Sequence, residues 1–146
     1  MMRRRDFVTA AASAAALFEA AGASAQAPKG NLEDMHPAKY KALEASTLQC
    51  IAAGEDCMRH SLSMFSMNDT SMAGVANTVT QLLAVCRALL TVAALNSPFT
   101  AELAKTTADV CGAAEKECRK YYDRYPECKA CADACKACAA DCLKVK

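Results

Sequence analysis

The chain has 146 residues, a formal charge of +1, no Trp and ten Cys, which suits one domain with room for a single core. Past the first 25 residues no basic patch or polybasic run is present, which argues against nucleic acid and against an anionic lipid surface as partners. Ten cysteines in so short a chain are near the level of a disulfide scaffold or a metal protein, and the reading turns on which of the two it is.

Residues 1–25 read as a cleaved twin-arginine signal peptide. Arg3-Arg4-Arg5-Asp6-Phe7-Val8 is a basic start with a twin-arginine pattern, an alanine-rich apolar stretch runs to Ala21, and Ala23-Ser24-Ala25 is a small-residue cleavage site. The apolar run is about 14 residues and contains Glu19, whereas a membrane span needs roughly 20. Once the signal is gone, no membrane association is expected. Its removal takes away three Arg, one Asp and one Glu and brings the formal charge to zero. The pathway carries folded proteins, so thiols buried in the reducing cytosol would reach the periplasm already shielded.

Residues 26–36, with Pro28 and Gly30, read as a flexible leader, and 37–146 as an all-α, antiparallel up-down-up-down four-helix bundle. The first helix is expected from about Pro37 to Phe65. Asn68-Asp69-Thr70-Ser71 then breaks the pattern and offers N-cap side chains for a second helix running to about Leu95. Asn96-Ser97-Pro98 supplies a stop, a cap and a proline preset for a third helix to about Tyr122. Tyr125-Pro126 starts a fourth, ending near Leu143. No segment alternates like a strand, and the short connections favour antiparallel neighbours.

Steps of three and four residues mark the inward face of each helix. In the fourth helix that face is Cys128, Cys131, Cys135, Cys138 and Cys142, and none of its cysteines lies off the stripe. The first helix reads Leu43, Thr47, Cys50, Gly54, Cys57, Ser61 and Met64. The second reads Met72, Val75, Val79, Leu82, Cys86 and Leu89, and the third Thr107, Cys111, Ala114 and Cys118. If the first–second and third–fourth turns lie level, the top layer is Met64, Met72, Tyr122 and Cys128. Below it come Ser61, Val75, Cys118 and Cys131, then Cys57, Val79, Ala114 and Cys135. Gly54, Leu82, Cys111 and Cys138 follow, and Cys50, Cys86, Thr107 and Cys142 form the far layer.

Three accounts compete for this sulfur lining. Cysteine as a small buried hydrophobe explains one or two positions but not five consecutive ones. A disulfide framework suits an exported protein, yet no cysteine lies in a connecting loop. Neighbours along one helix also hold their Cβ atoms about 5–6 Å apart, against the ~3.8 Å a bridge prefers; cross-helix bridges stay open. Metal binding removes the cost of crowding thiolates in a dry core. Zinc would need closed sets of four, which one face of one helix cannot wrap. The spacing departs from the ferredoxin run, and there is no Cys-x-x-Cys-His for haem. Cu(I) is soft and accepts two or three sulfurs, so it leads. His60, Met64, Met67 and Met72 gather at the first–second turn. They read either as core filling, for Met64 and Met72, or as an entrance whose weaker ligands pass an ion inward to Cys118, Cys128 and Cys131.

His60-x3-Met64-x2-Met67-x4-Met72, Glu117-Cys118 and Cys128-Lys129-Ala130-Cys131-x3-Cys135-x2-Cys138-x3-Cys142 resemble the copper storage proteins, specifically their exported, twin-arginine branch. The resemblance covers essentially the whole mature chain. It implies a homotetramer of bundles, several Cu(I) ions held mainly by Cys-x3-Cys pairs, and supply of copper to a client enzyme such as the methane monooxygenase of methane oxidisers. Ser61, Val75 and Ala114 stand where a richer member would carry thiols, which breaks the Cys57-x3-Ser61 and Ala114-x3-Cys118 pairs. Two ligands per ion gives about five Cu(I), and bridging thiolates raise that towards about ten. The competing reading is a disulfide-stapled periplasmic interaction module. A catalytic role has no visible acid–base constellation to support it.

Overall fold

In the computed structural model the described residues are 36–146; the expected signal, and all of the expected leader except His36, lie outside them. Four helices follow in chain order: α1 Lys41–Ser66, α2 Ala73–Ala94, α3 Thr100–Arg119 and α4 Pro126–Cys142. Each packs on the next and α4 closes back onto α1, while the diagonal pairs keep their backbones apart and meet only through side chains at the centre, so the helices stand at the corners of a square around one axis. α2 is long and apolar enough to cross a membrane by length and composition. Here its buried face, Val75, Val79, Leu82, Leu83, Cys86, Leu89 and Ala93, turns to the axis.

The helix ends follow local chemistry. Asn68 and Asn96 take left-handed backbone angles, with φ of 61° and 50°, a conformation asparagine tolerates just past a helix. Pro126 opens α4 from an extended Tyr125, where proline lacks only an N–H that would have no helical partner. Two expectations need correction. α1 starts at Lys41 rather than Pro37, because the preceding segment is tied to the α2–α3 turn. Asn96 Nδ2 donates to Pro37 O at 3.2 Å, and Lys39 N donates to Asn96 Oδ1 at 3.0 Å. The Asn68–Ser71 group does not cap α2, whose N-cap is Met72 with no side-chain bond. Asp69 instead accepts from Ser71 N at 2.9 Å, an Asx-type turn that shapes the connection.

All the inward positions expected from the 3–4 spacing are buried in the four helices and at Met72. Every cysteine lies on a helix, buried and free. The core is therefore half hydrocarbon and half sulfur. Valine and leucine of α2, with Leu43 of α1, share the core with the ten cysteines.

Candidate metal centre

Two groups of thiols converge on the axis. In the deeper one Cys50, Cys86, Cys111 and Cys138, one from each helix, place their sulfurs within 4.8 Å of one another. In the other, Cys57 of α1, Cys118 of α3 and Cys131 of α4 meet under the same limit. The remaining thiols join at the edges. Cys128 Sγ lies 3.9 Å from Cys57 Sγ, and Cys135 Sγ lies 3.8 Å from Cys50 Sγ. Cys131–Cys135 and Cys138–Cys142, both Cys-x3-Cys pairs along α4, are also in hydrogen-bonding reach. The ten sulfurs thus form one continuous column.

Crowding sets the protonation of each group. S–H donors from Cys118, Cys135 and Cys57 hold Cys131 well below the ordinary thiol range. Cys138 is held low in the same way by Cys111, Cys142, Cys50 and Cys86. Hydrogen bonds from Cys111 and then Cys135 bring Cys50 down to about 5. Their neighbours pay in the opposite direction. Cys111 is pushed up first by its bond to Cys135, and Cys118 by its bond to Cys128. Cys142 rises through its bond to Cys138. The Cys111 contact favours the thiolates of Cys86 and Cys135, but their other thiol neighbours and burial outweigh it and raise both. Cys118 likewise favours the Cys128 thiolate, yet Cys57 and burial carry Cys128 up to about 11. In each group, thiols whose ionisation is favoured sit among thiols whose ionisation is opposed, and a soft cation can replace the shared protons.

The methionine and histidine end is partly assembled. His60 stacks at 4.5 Å between ring centroids on Tyr125, with Nδ1 3.8 Å from Glu127 Oε2. Its Nε2 is buried without a hydrogen-bond partner among the described residues, which leaves one ring nitrogen free for a ligand. Met64 is buried, Met72 is fully enclosed, and Met67, the C-cap of α1, is 64% exposed. Met72 therefore fills core space, whereas Met67 has no packing role. Tyr121, Tyr125 and Glu127 were not singled out from sequence. Three tyrosines in Tyr121-Tyr122-Asp123-Arg124-Tyr125, in a chain with only four, were the available signal.

The expected layer map is right within each hairpin and wrong between them. Cys50 does share a level with Cys86, and Cys118 with Cys131, but Cys50 meets Cys111 and Cys138 rather than Thr107 and Cys142. Cys57 likewise meets Cys118, Cys128 and Cys131 rather than Cys135. The α1–α2 hairpin is displaced by one helical turn against α3–α4. The α3–α4 turn explains this, because its tyrosines wedge beneath the other hairpin: Tyr121 OH donates to Ser71 O at 2.6 Å and Tyr125 packs on His60. Tyr122, expected inside, points outward and donates to Asp133 at 3.0 Å. One consequence corrects the argument against closed sets of four, since the shift brings a thiol from every helix to a single level.

Fold and site together define a helical bundle built to hold soft metal ions on buried thiols. The chain belongs to the copper storage protein family, whose profile matches residues 36–146. Among solved structures it is similar to apo copper storage protein 3 from Bacillus subtilis, with a TM-score of 0.64 and 26% identity over 72% of this chain and 96% of that one. It is also similar to the Cu(I)-bound copper storage protein BsCsp3, with a TM-score of 0.66 and 26% identity over 72% of this chain and 95% of that one. A comparison with curated protein sequences returns no significant match. The family is one of storage, not catalysis.

Proposed function

We propose that this chain stores several Cu(I) ions on the thiolates of its axis, with Cys50, Cys57, Cys86, Cys111, Cys118, Cys128, Cys131, Cys135, Cys138 and Cys142 as ligands. The observation that carries this reading is the convergence of buried, free sulfurs from different helices within 4.8 Å. Two- and three-coordinate Cu(I) fits such sulfur sets without a cage, and each ion that binds displaces thiol protons and cancels charge that the dry core would otherwise exclude. The Cu(I)-bound relative supports the choice of metal.

Ions enter at the His60 end. Exposed Met67 and then Met64 offer thioethers, and His60 Nε2 offers a partnerless nitrogen beside Cys128. Met72, being enclosed, lines the end of the column. The signal-like residues 1–25 support export of the folded protein to the periplasm, and the resemblance supports a homotetramer that feeds a copper enzyme. Anaerobic Cu(I) titration against a competing chelator, with thiols counted before and after, tests the reading. Several equivalents bound tightly, about five to ten, are expected. One equivalent or none, or protein purified without metal that shows no titratable thiols before any reduction, defeats it and leaves the disulfide-stapled module.

A further inference from the structure

The deeper thiol group differs from the rest of the column in one respect. Cys86 is the only cysteine of α2, and at its level alone all four helices contribute a sulfur. The four Sγ atoms are fully buried and lie within 4.8 Å of one another. A divalent d10 ion held by four thiolates at about 2.3 Å sets its sulfurs about 3.8 Å apart at the corners of a tetrahedron. Sulfurs already within 4.8 Å of one another reach that arrangement by side-chain rotation. Two- or three-coordinate Cu(I) leaves at least one of the four over; a four-coordinate ion uses every one.

Three further groups surround this layer as donors. Thr47 Oγ1 lies 3.8 Å from Cys138 Sγ, Cys135 Sγ lies 3.8 Å from Cys50 Sγ, and Cys142 reaches Cys138. When four thiols bind a divalent ion, four protons leave to solvent and the site keeps two negative charges. O–H and S–H donors directed at the thiolates spread that charge, as supporting hydrogen bonds do around metal sites generally. The other group cannot match this arrangement. At Cys57, Cys118 and Cys131 only α1, α3 and α4 supply sulfur, and the nearby core positions of α2 are valine.

We propose that Cys50, Cys86, Cys111 and Cys138 form a closed four-thiolate site for a tetrahedral divalent ion, Zn(II), occupied when copper is scarce and vacated when Cu(I) arrives. Zinc there ties all four helices together at mid-core and shields the thiols from oxidation in an exported protein. Cu(I), the softer ion, displaces it because thiolate favours it more strongly. The zinc site rests on the four-thiol geometry alone and goes beyond copper storage; the exchange step rests on the proposed Cu(I) binding.

Anaerobic Co(II) titration of the reduced, metal-free full chain tests the geometry, followed by addition of Zn(II). One equivalent of Co(II) giving the intense ligand-field bands of a tetrahedral tetrathiolate, displaced by one equivalent of Zn(II), is expected. Loss of a ligand should cost at least the 10-fold to about 100-fold that losing a mere supporting group costs, so Cys86→Ala and Cys111→Ser should abolish the spectrum while Cys57→Ala keeps it. Far-UV helicity of each variant separates a lost ligand from a lost fold. An octahedral spectrum, or one that survives Cys86→Ala and disappears with Cys57→Ala, overturns the assignment. Cu(I) added to the zinc form should release the zinc stoichiometrically to a zinc-sensitive dye, and zinc that stays bound refutes the exchange. Copper capacity is read in a separate titration, so failure of one reading leaves the other standing.

Discussion

Mild oxidation of the reduced, metal-free protein should join Cys57 to Cys128 and Cys50 to Cys135, because these pairs face each other across α1 and α4 at 3.9 and 3.8 Å. A disulfide needs the sulfurs at about 2.05 Å, an approach of under about 2 Å that two side chains can share by rotating about χ1. The Cys57–Cys128 bridge spans a sequence separation of 71 residues. Closing a loop of that length restricts the unfolded chain by about 4 kcal/mol in the chain-entropy relation, before native strain is subtracted. In a chain of this size that corresponds to a rise in Tm of about 10 °C or more. Non-reducing peptide mapping identifies the partners, and thermal unfolding with and without reductant reads the stabilisation. Bridges from Cys57 to Cys135, or from Cys50 to Cys142, would mean that the hairpins are not displaced by a turn, and the argument from the tyrosine wedge would fail with them.

Met64→Ala with Met67→Ala should slow Cu(I) loading in stopped-flow mixing while total capacity stays nearly constant; an unchanged rate removes the entrance role. Stability of the metal-free protein should fall as pH rises above 9. Six thiols have folded values raised above the ordinary 9.0, Cys128 to about 11, so the unfolded chain gives up these protons first and gains free energy relative to the fold. Cys50, Cys131 and Cys138 are lowered and act the other way, giving stability that is lost as pH falls below 9. Denaturant midpoints across this range should therefore peak near pH 9 without metal, and copper loading should flatten the alkaline fall. Gly112→Ala should stabilise the protein by about 1 kcal/mol, the helix preference of alanine over glycine, since an added Cβ meets nothing within 4 Å. At Gly54 the same change sets a Cβ 3.1 Å from Leu83 Cδ2, and the crowding should cancel that gain. Equal effects at both sites in urea unfolding would contradict the packing described for α1 on α2.

Much of the centre was legible in the sequence, and the limits of that legibility are specific. The inner face of α4 followed from five cysteines at helical spacing, and those of α1, α2 and α3 from the same rule, because which side of a helix is apolar depends only on residues a turn apart. The turns at Asn68 and Asn96 and the start at Pro126 were readable for the same reason, as each rests on the backbone preference of one residue. The start of α1 was not, since it depends on Asn96 holding Pro37 and Lys39 across a separation of 57 to 59 residues. Tyr122 was misplaced because three tyrosines sit close together and local pattern does not say which of them turns inward.

Sequence alone therefore determined four amphipathic helices, their order, and the sulfur stripe that each would bury. How far one hairpin slides along the other is a different kind of quantity, because every one-turn displacement keeps each stripe facing the axis and satisfies the same periodicity. Tertiary packing decided it, through Tyr121 on Ser71 and Tyr125 on His60. That single displacement sets four thiols at one level where an aligned pair of hairpins would have placed three.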